Sequence, residues 1–478
     1  MSGKQRIIPI QPVAAKAVTE FDQVSFYQSE RKVQPRTTSG RYTRLRWVFV
    51  WLTQLFFYGV PWLTIRGHQA LLFDLAERRF YLFGTIFLPQ DLIYLTSLLL
   101  LSAFGLFVWT SIGGRLWCGF SCPQTVYTEL FVWIEKIIEG DRMARLKLDA
   151  GPRTLRWLML KSAKQGAWLA VALWTGFTFV GYFVPIQSIW RDLLVGSLGG
   201  YTIFWALFYA LATYGNAGWL REQVCKYMCP YARFQGAMFD PDTLLVSYDA
   251  ARGEPRGSRR KDQVKVAQGD CVDCTLCVQV CPAGIDIRDG LQYECIGCGV
   301  CIDACNQVMD KIGSPRGLIR FTTENALAGL YPDTHIAKRL WRPRVVLYGS
   351  VWLAVVVATG AALWWRTPVK VDLARERAAL VRETVDGQLE NSYRLRIENA
   401  DHVGHRFVVT ATGLTNLQVK SEYGQMLDVP AESVVDWPLR LVTDPAHARS
   451  GSHPVVLHLQ AQDASGLHIQ EQTRFFGR

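Results

Sequence analysis

The chain has 478 residues, of which 50% are hydrophobic and 19% are charged, and it contains 17 Trp and 24 Phe. This composition excludes a disordered or fibrous chain, and the length predicts about three domains. The net charge of +11 comes from Lys and Arg that gather before and between apolar stretches, which is typical of a membrane protein. Because the basic residues between the apolar stretches show no aromatic interleaving of the kind that supports nucleic-acid binding, we expect no nucleic acid partner.

Five stretches are long and apolar enough to cross a bilayer. They are 47–65, 92–112, 167–186, 196–215 and 345–365. Nine Lys and Arg precede the first stretch, whereas the connecting segments 66–91 and 187–195 carry only three and one. The positive-inside rule then places the N-terminus and the two long connections in the cytoplasm and the C-terminal part in the periplasm. The sequence therefore predicts a multi-pass protein of a bacterial inner (cytoplasmic) membrane, in contact with membrane lipid.

The predicted fold class is a multi-domain α-helical membrane protein with two parts outside the bilayer. Residues 390–475 alternate apolar and polar residues with a period of two, as at Tyr393, Leu395 and Ile397, which predicts an immunoglobulin-like β-sandwich. The predicted boundaries are 1–46 for a cytoplasmic N-terminal segment, 47–239 for a four-helix membrane region, 240–325 for an inserted cytoplasmic ferredoxin-like domain, 345–365 for the fifth span and 366–478 for the periplasmic sandwich.

All twelve cysteines lie between Cys118 and Cys305, and eight of them form two copies of one spacing, C-x2-C-x2-C-x3-C. In bacterial two-cluster ferredoxins, three cysteines of one copy share a cluster with the fourth cysteine of the other copy. A zinc site needs one four-ligand set with a longer central gap, and disulfides would not be confined to one part of the chain. We therefore predict two [4Fe–4S] clusters, one on Cys271, Cys274, Cys277 and Cys305 and the other on Cys281, Cys295, Cys298 and Cys301.

The other four cysteines form two matched motifs, Cys118-x3-Cys122-Pro and Cys225-x3-Cys229-Pro, each after a predicted span. Proline is favoured at the first position of a helix, so the second cysteine of each motif is predicted at a helix N-terminus, where the thiol pKa falls. If the hairpins pack together, the four sulfurs meet at one face. Soft thiolates bind Cu(I), zinc or iron–sulfur clusters, whereas unpaired cysteines are often only small buried hydrophobic residues. The matched copies favour a redox or metal role without fixing which.

These motifs together resemble the CcoG family, also called FixG or RdxA, which are accessory proteins of cbb-type cytochrome c oxidase. The segments that carry the resemblance are 114–126, 225–230, 295–305 and 317–320, and the likeness extends over nearly the whole chain. The resemblance implies a membrane-bound cupric reductase that reduces Cu(II) to Cu(I) for oxidase assembly. It places the catalytic and copper-binding role on Cys118, Cys122, Cys225 and Cys229. It also implies copper-trafficking proteins or oxidase assembly factors as partners.

Two other hypotheses stay open at this point. The first is a membrane electron-transfer relay between quinol and a partner protein, which would neither bind nor reduce copper. The second is a non-redox scaffold for oxidase assembly, in which the cluster cysteines would be dispensable. The sequence does not identify the electron donor.

Overall fold

The computed structural model describes residues 32–258, 268–376, 380–421, 424, 426–463 and 466–478. Most of the predicted N-terminal segment 1–46 therefore lies outside the described residues. The α-helices are α1 Arg41–Gly59, α2 Leu92–Gly113, α3 Leu116–Phe120, α4 Pro123–Glu139, α5 Arg142–Ala150, α6 Leu155–Val180, α7 Ile186–Val195, α8 Gly200–Thr213, α9 Pro230–Met238, α10 Ala250–Gly253, α11 Leu276–Gln279, α12 Val300–Ile312, α13 Glu324–Leu327 and α14 Pro343–Trp364. Two π-helical segments, Tyr214–Leu220 and Val224–Met228, follow α8, and the 3₁₀ turns are Val60–Trp62, Pro89–Asp91, Ile287–Asp289 and Asp333–Trp341.

The strands form three small sheets and a sandwich. They are β1 Thr64–Ile65, β2 His68–Gln69, β3 Leu71–Asp74, β4 Arg79–Leu82, β5 Thr85–Phe87, β6 Leu245–Tyr248, β7 Ile319–Thr322, β8 Val369–Arg375, β9 Arg382–Glu383, β10 Leu389–Asn399, β11 His405–Thr412, β12 Gln418–Lys420, β13 Met426–Val429, β14 Ser433–Thr443, β15 Gly451–Ala461 and β16 His468–Gly477. The segment 66–91, treated above as a connection, thus contains a three-stranded sheet of order β3-β4-β5.

Among the described residues, two single helices are long and apolar enough to cross a membrane, one over Pro89–Gly113, which includes α2, and one over Pro343–Trp364, which is α14. This part of the five-span prediction is confirmed. The other three predicted spans are not confirmed as separate spans, although α1, α6 and α8 overlap them. Charge is one physical reason why α1 and α6 are less apolar than a membrane span. The first six residues of α1 include three arginines, and the first half of α6 carries an arginine and two lysines.

The segment 187–195, also treated above as a connection, belongs to helix α7. The helices Ile186–Val195 and Gly200–Leu220 meet the length and apolarity criterion only as a pair, and they are bent by 104° at the break between them. Their geometry is that of a broken span or a re-entrant loop, which a hydropathy pattern does not distinguish from a straight helix. The predicted span 196–215 is therefore replaced by the second arm of a bent pair.

The two spans α2 and α14 pack against each other as antiparallel neighbours. The indole N–H of Trp352 donates to the carbonyl oxygen of Leu101 at 3.1 Å, and the hydroxyl of Tyr94 donates to the carbonyl oxygen of Ala362 at 3.0 Å. A Cβ atom at Gly105 would lie 3.2 Å from the Trp352 indole nitrogen. Since lipid tails give no hydrophobic driving force between helices, this close packing and these hydrogen bonds hold the pair together.

The ferredoxin-like part contains the antiparallel pair β6 and β7 and the helix α12. Their apolar core includes Val246, Met309 and Leu318. This part is fixed to the helical region through Asp303, whose carboxylate accepts hydrogen bonds from the backbone N–H and the hydroxyl of Thr43 at 2.7 Å and 2.9 Å. Asp303 therefore caps the N-terminus of α1 from another domain and satisfies a backbone donor that the helix itself leaves unpaired.

The C-terminal part is a β-sandwich of two antiparallel sheets, as predicted. One sheet has the order β12-β14-β10-β8, with β9 also paired to β10, and the other has the order β13-β11-β15-β16. The residues that alternate inward in β10 are buried in the core, together with Trp437 and Phe475. Period-two patterning predicted this part well because one face of each strand is buried between the sheets.

The sandwich docks on the β3-β4-β5 sheet through polar contacts. The buried carboxylate of Asp91 pairs with Arg366 at 2.6 Å and with Lys370, and both basic residues lie where the chain leaves α14 for the sandwich. The ring of His402 contacts the carbonyl oxygen of Gly84 through Nε2 at 2.8 Å and the carboxylate of Glu432 through Nδ1 at 2.7 Å. The orientation of the sandwich thus depends on charged groups.

This docking is expected to weaken as the pH rises. The carbonyl of Gly84 and the carboxylate of Glu432 raise the pKa of His402, because only the protonated ring donates to both; burial and Arg66 act against them. His68 also faces Glu432, at 2.8 Å. The pKa of His402 is higher when the sandwich is docked than when it is not. The protonated ring therefore stabilises docking fully below the ordinary pKa of histidine, and this stabilisation is lost as the pH rises through the raised pKa.

Hydrogen–deuterium exchange of β5, corrected for intrinsic exchange rates, is expected to be faster at pH 8 than at pH 6. In a His402→Asn variant the difference between the two pH values should disappear. A His453→Asn variant is the matched control, because the His453 ring hydrogen-bonds the backbone carbonyl of Arg449 within the sandwich itself. Equal pH dependence in the wild type and in the His402→Asn variant would contradict this role of His402.

A buried ion-pair cluster joins the helices beneath the cysteine motifs. Glu135 on α4 is 2% exposed and is surrounded by basic groups. Its partners are Arg221 at 2.6 Å, Arg145 at 2.8 Å, Lys32 at 3.5 Å and Lys164 at 3.8 Å. Three of these cations also lie over the ring of Trp168, at 5.0 to 5.6 Å from its centroid. One carboxylate therefore links α5, α6 and the chain that leads to Cys225.

Candidate iron–sulfur and metal centre

The first ferredoxin set lies around one small cavity. Cys271, Cys274, Cys277 and Cys305 line this cavity, which encloses about 370 Å³. The fourth of these cysteines comes from α12, in the second copy of the motif, as the predicted exchange of ligands between copies requires. The rest of the wall is mainly apolar and includes Leu318 and Ile319, and no carboxylate lines it.

The second ferredoxin set lines a neighbouring cavity of about 350 Å³. Its members are Cys281, Cys295, Cys298 and Cys301, and Cys277 of the first set also reaches this wall. Burial raises the pKa of Cys281 to about 11, whereas backbone N–H groups of residues 283–285 lower it. Four thiols, apolar walls and inward backbone donors fit a [4Fe–4S] cluster in each cavity. The ligation of each cluster by these residues stays a prediction.

Both copies of the ferredoxin motif have the same loop conformation. Asp273 and Thr275 flank the central cysteine of the first copy, with φ values of 52° and 54°. Gly297 and Gly299 flank the central cysteine of the second copy, with φ values of 66° and 73°. Because left-handed backbone is uncommon outside glycine, its repetition at equivalent positions indicates that the spacing imposes this turn.

The paired motifs open helices, as predicted. Cys122 immediately precedes α4, which begins at Pro123, and Cys229 immediately precedes α9, which begins at Pro230. The predicted fall in thiol pKa is wrong for Cys122. Burial raises the pKa of this thiol and outweighs the backbone N–H groups of Thr125 and Gln124, which act in the opposite direction.

The structure brings all four paired-motif cysteines into one electrostatic neighbourhood. Burial and the nearby thiols of Cys122, Cys118 and Cys229 together raise the pKa of Cys225 to about 12. The two hairpins are also joined directly, because the Cys118 thiol donates a hydrogen bond to the side-chain oxygen of Gln235 at 3.4 Å. Gln235 lies on the helix that the second motif opens. The two motifs therefore lie next to each other, whereas the meeting of all four sulfurs at one face stays a prediction.

These thiols do not form a site for a single ion with three or more ligands. Within the described residues, which include all twelve cysteines, no three His, Cys, Asp or Glu side chains are close enough to hold one metal ion. The cysteines of the two ferredoxin sets also form no such single-ion site, because the four sulfurs of each set stand around a cavity. The paired-motif cysteines can therefore offer a single ion two thiolates, or they can surround a larger group.

The first paired motif touches the loop of the second ferredoxin set. Cys118 packs against an apolar cluster that contains Ile296 and Cys298. A Cβ atom at Gly119 would lie 2.8 Å from the carbonyl oxygen of Ile296 and 2.9 Å from the Cα atom of Cys298. Only a glycine permits this approach of two backbones. The paired-motif cysteines and the second cluster site are therefore neighbours.

Two residues of this site were not predicted from the sequence. Arg115 is buried, donates to the carbonyl oxygen of Ala232, and lies near enough to lower the pKa of Cys118 and Cys225. Gln235 is fully buried. The position of Arg115 three residues before Cys118 was a usable signal, since a cation beside a thiol favours its ionised form. The sequence carried no signal for Gln235, because this residue lies 117 positions from Cys118, the residue that it contacts.

Three family models match the chain. A 4Fe-4S dicluster domain model matches residues 220–324, and a 4Fe-4S binding domain model matches residues 95–139. A third model, described as the Ig-like fold at the C-terminus of FixG, matches residues 359–478. The iron–sulfur character and the immunoglobulin-like sandwich predicted above are thus confirmed.

Relatives of known name extend over most of the chain. It is 36% identical over 470 residues to the protein RdxB of Cereibacter sphaeroides, covering 95% of this chain and 98% of RdxB. It is 40% identical over 408 residues to the nitrogen fixation protein FixG of Rhizobium meliloti, covering 78% of each. A crystal structure of a FixG-related protein from Vibrio parahaemolyticus matches 24% of this chain and 99% of its own, with 21% identity and a TM-score of 0.21. The chain belongs to the FixG/RdxA family and is an iron–sulfur membrane protein of that type.

Proposed function

We propose that this protein is a membrane-bound oxidoreductase that reduces Cu(II) to Cu(I), with copper bound at the paired-motif cysteines. The observation that carries the proposal is the backbone contact between Gly119, in the first paired motif, and Cys298, in the loop of the second cluster site. An electron held at the second site has a short route to a metal ion held at Cys118. The adjacent sites thus pair a one-electron donor with a soft-metal site.

The chain's own residues supply the binding and the positioning in this reaction. The eight ferredoxin cysteines would hold two [4Fe–4S] clusters, which supply single electrons when bound. Two thiolates from the set Cys118, Cys122, Cys225 and Cys229 bind the copper substrate, which takes up one electron and becomes Cu(I). Thiolate is a soft ligand and favours Cu(I) over harder ions, so the same residues hold the product until a partner removes it.

We further propose that the cysteine sites face the cytoplasm and that the sandwich faces the periplasm of a bacterial inner membrane. The first paired motif follows the end of α2 at Gly113, whereas the sandwich follows the end of α14 at Trp364. The antiparallel packing of α2 and α14 separates these two regions by about one bilayer. The basic residues concentrated on the cysteine side support this orientation. Copper-trafficking proteins or cbb-type oxidase assembly factors are the proposed partners.

A second candidate function is supported by one of the family models. The 4Fe-4S binding domain model over residues 95–139 includes only Cys118 and Cys122 among the cysteines. If the paired motifs hold a further iron–sulfur cluster, the protein is an electron relay rather than a copper reductase. The iron content separates these two functions, because a relay of this kind holds iron equivalent to three clusters and a copper reductase holds the equivalent of two.

The test compares wild type with a variant in which Cys118, Cys122, Cys225 and Cys229 are all changed to Ser. Both proteins are purified without oxygen, reduced, freed of reductant and mixed with Cu(II), and Cu(I) is measured with a chelator while EPR follows the clusters. We expect the variant to keep its two cluster signals and to lose copper reduction. The complementary variant Cys281→Ser keeps the copper site and should lose a cluster. If the fourfold variant reduces copper as fast as wild type, copper is an incidental oxidant and the proposed function is wrong.

A further inference from the structure

A large cavity lies among α1, α4, α6 and α8, directly beside the first paired motif. Its volume is about 430 Å³, and its wall includes Trp117, Ser121 and Pro123, the sequence neighbours of Cys118 and Cys122. The two helices also expose apolar side chains close in sequence to the residues that line it, since Leu55 on α1 is 69% exposed and Leu211 on α8 is 64% exposed. A molecule bound in the cavity would lie next to the first cysteine motif.

The wall of this cavity combines aromatic rings with polar groups. The rings are those of Phe57, Trp117, Tyr127, Phe179 and Tyr209. The polar groups include Gln54, which is 8% exposed and whose side-chain oxygen accepts no hydrogen bond within the described residues. Thr175 adds a hydroxyl, which is 2.8 Å from the hydroxyl of Tyr58. A buried amide oxygen without a partner points to a ligand that donates a hydrogen bond.

We propose that this cavity binds the ring of a membrane quinol, whose apolar tail lies along α1 and α8. A quinol is flat and apolar, and it carries hydroxyl groups that can donate to the side-chain oxygen of Gln54. Aromatic walls with a few convergent polar groups are the usual lining of sites for such molecules. This inference rests on the proposed function for the destination of the electrons, and it supplies the electron donor that the sequence did not identify.

The reaction balances with the groups already described. Oxidation of one quinol to the quinone releases two electrons and two protons. The eight ferredoxin cysteines would hold two clusters, each of which would supply one-electron chemistry when bound, so that two Cu(II) ions would become two Cu(I) ions for each quinol oxidised. Gln124 lines both this cavity and a polar cavity that contains Glu129 and Glu222. The two protons leave by this polar cavity to water.

The test measures binding directly, apart from any activity. The full chain, purified free of quinone and placed in lipid nanodiscs, is labelled with a photoreactive azidoquinol kept in its reduced form, with decylubiquinol as competitor, and the labelled peptides are identified by mass spectrometry. We expect saturable labelling of peptides from the cavity wall. Gln54→Leu should weaken binding about tenfold, which corresponds to the loss of one net hydrogen bond. Ala212→Phe, which fills the cavity without removing a polar group, should abolish binding.

Gln187→Leu is the matched control, because Gln187 is exposed on α7 and does not line the cavity. It should bind the quinol as wild type does. Labelling that does not saturate, or that is unchanged in Ala212→Phe, overturns the inference and shows a crevice filled only by lipid chains. The proposed function is tested separately in wild type reduced with dithionite, which needs no quinol. Quinol binding without copper reduction refutes the proposed function alone, and copper reduction without quinol binding refutes this inference alone.

Discussion

Replacing Gly119 with Val is expected to lower the rate of copper reduction roughly 100-fold while both iron–sulfur clusters remain bound. The side chain added at this position meets backbone atoms of Ile296 and Cys298 at 2.8 to 3.0 Å. No side-chain rotation relieves such a contact, so the first paired motif must move away from the loop of the second cluster site. Displacing a reacting group by about 1 Å costs rates of this size.

Two measurements check this expectation. Stopped-flow mixing of reduced protein with Cu(II) gives the rate, and EPR with iron analysis shows that the clusters are retained. Gly166→Val is the matched control, because nothing lies within 4 Å of the Cβ position at Gly166 in α6. A wild-type rate in Gly119→Val would mean that electrons reach copper by a route that does not cross this contact, and the proposed function would lose its structural basis.

The sequence predicted those parts of the molecule that depend on short-range patterns. The cysteine spacings led to two cavities that each contain a complete thiol set, and the Cys-Pro steps marked the starts of α4 and α9. The sandwich was recognisable because Leu395 and its alternate neighbours in β10 are buried on one face. In each case the pattern that carries the prediction is short, although each complete thiol set takes one cysteine from the other copy of the motif.

The rest depends on contacts that are distant in sequence. The thiol pKa of Cys122 was predicted in the wrong direction, because burial by other helices exceeds the effect of the adjacent helix N-terminus. The predicted span 167–186 begins after the charged residues of α6, and the sequence did not show that Lys164 faces Glu135 and Glu139 inside the protein. A hydropathy pattern treats each charge alone and does not reveal which charges become partners after folding.

Glu135→Ala is expected to lower the free energy of unfolding by roughly 3 to 5 kcal/mol, the usual cost of removing one member of a buried charge cluster. The change leaves Arg145 and Arg221, both 2% or less exposed in their side chains, with an uncompensated charge. Arg221 lies four residues before Cys225, and its backbone carbonyl accepts a hydrogen bond from Gln124 at 3.0 Å. The loss of Glu135 should therefore also loosen the second paired motif.

Denaturant unfolding of the purified protein in lipid nanodiscs measures the stability, and the copper assay measures the effect on the motif. Glu77→Ala is the control, since Glu77 is exposed in the turn between β3 and β4 and should change stability by less than about 0.5 kcal/mol. Glu135→Gln should fall between the two, because an amide oxygen still accepts hydrogen bonds from the guanidinium groups but does not balance their charge. If Glu135→Ala is as stable as the control, the surrounding cations are balanced by water or by Glu139, and the cluster does not hold the cysteine motifs in place.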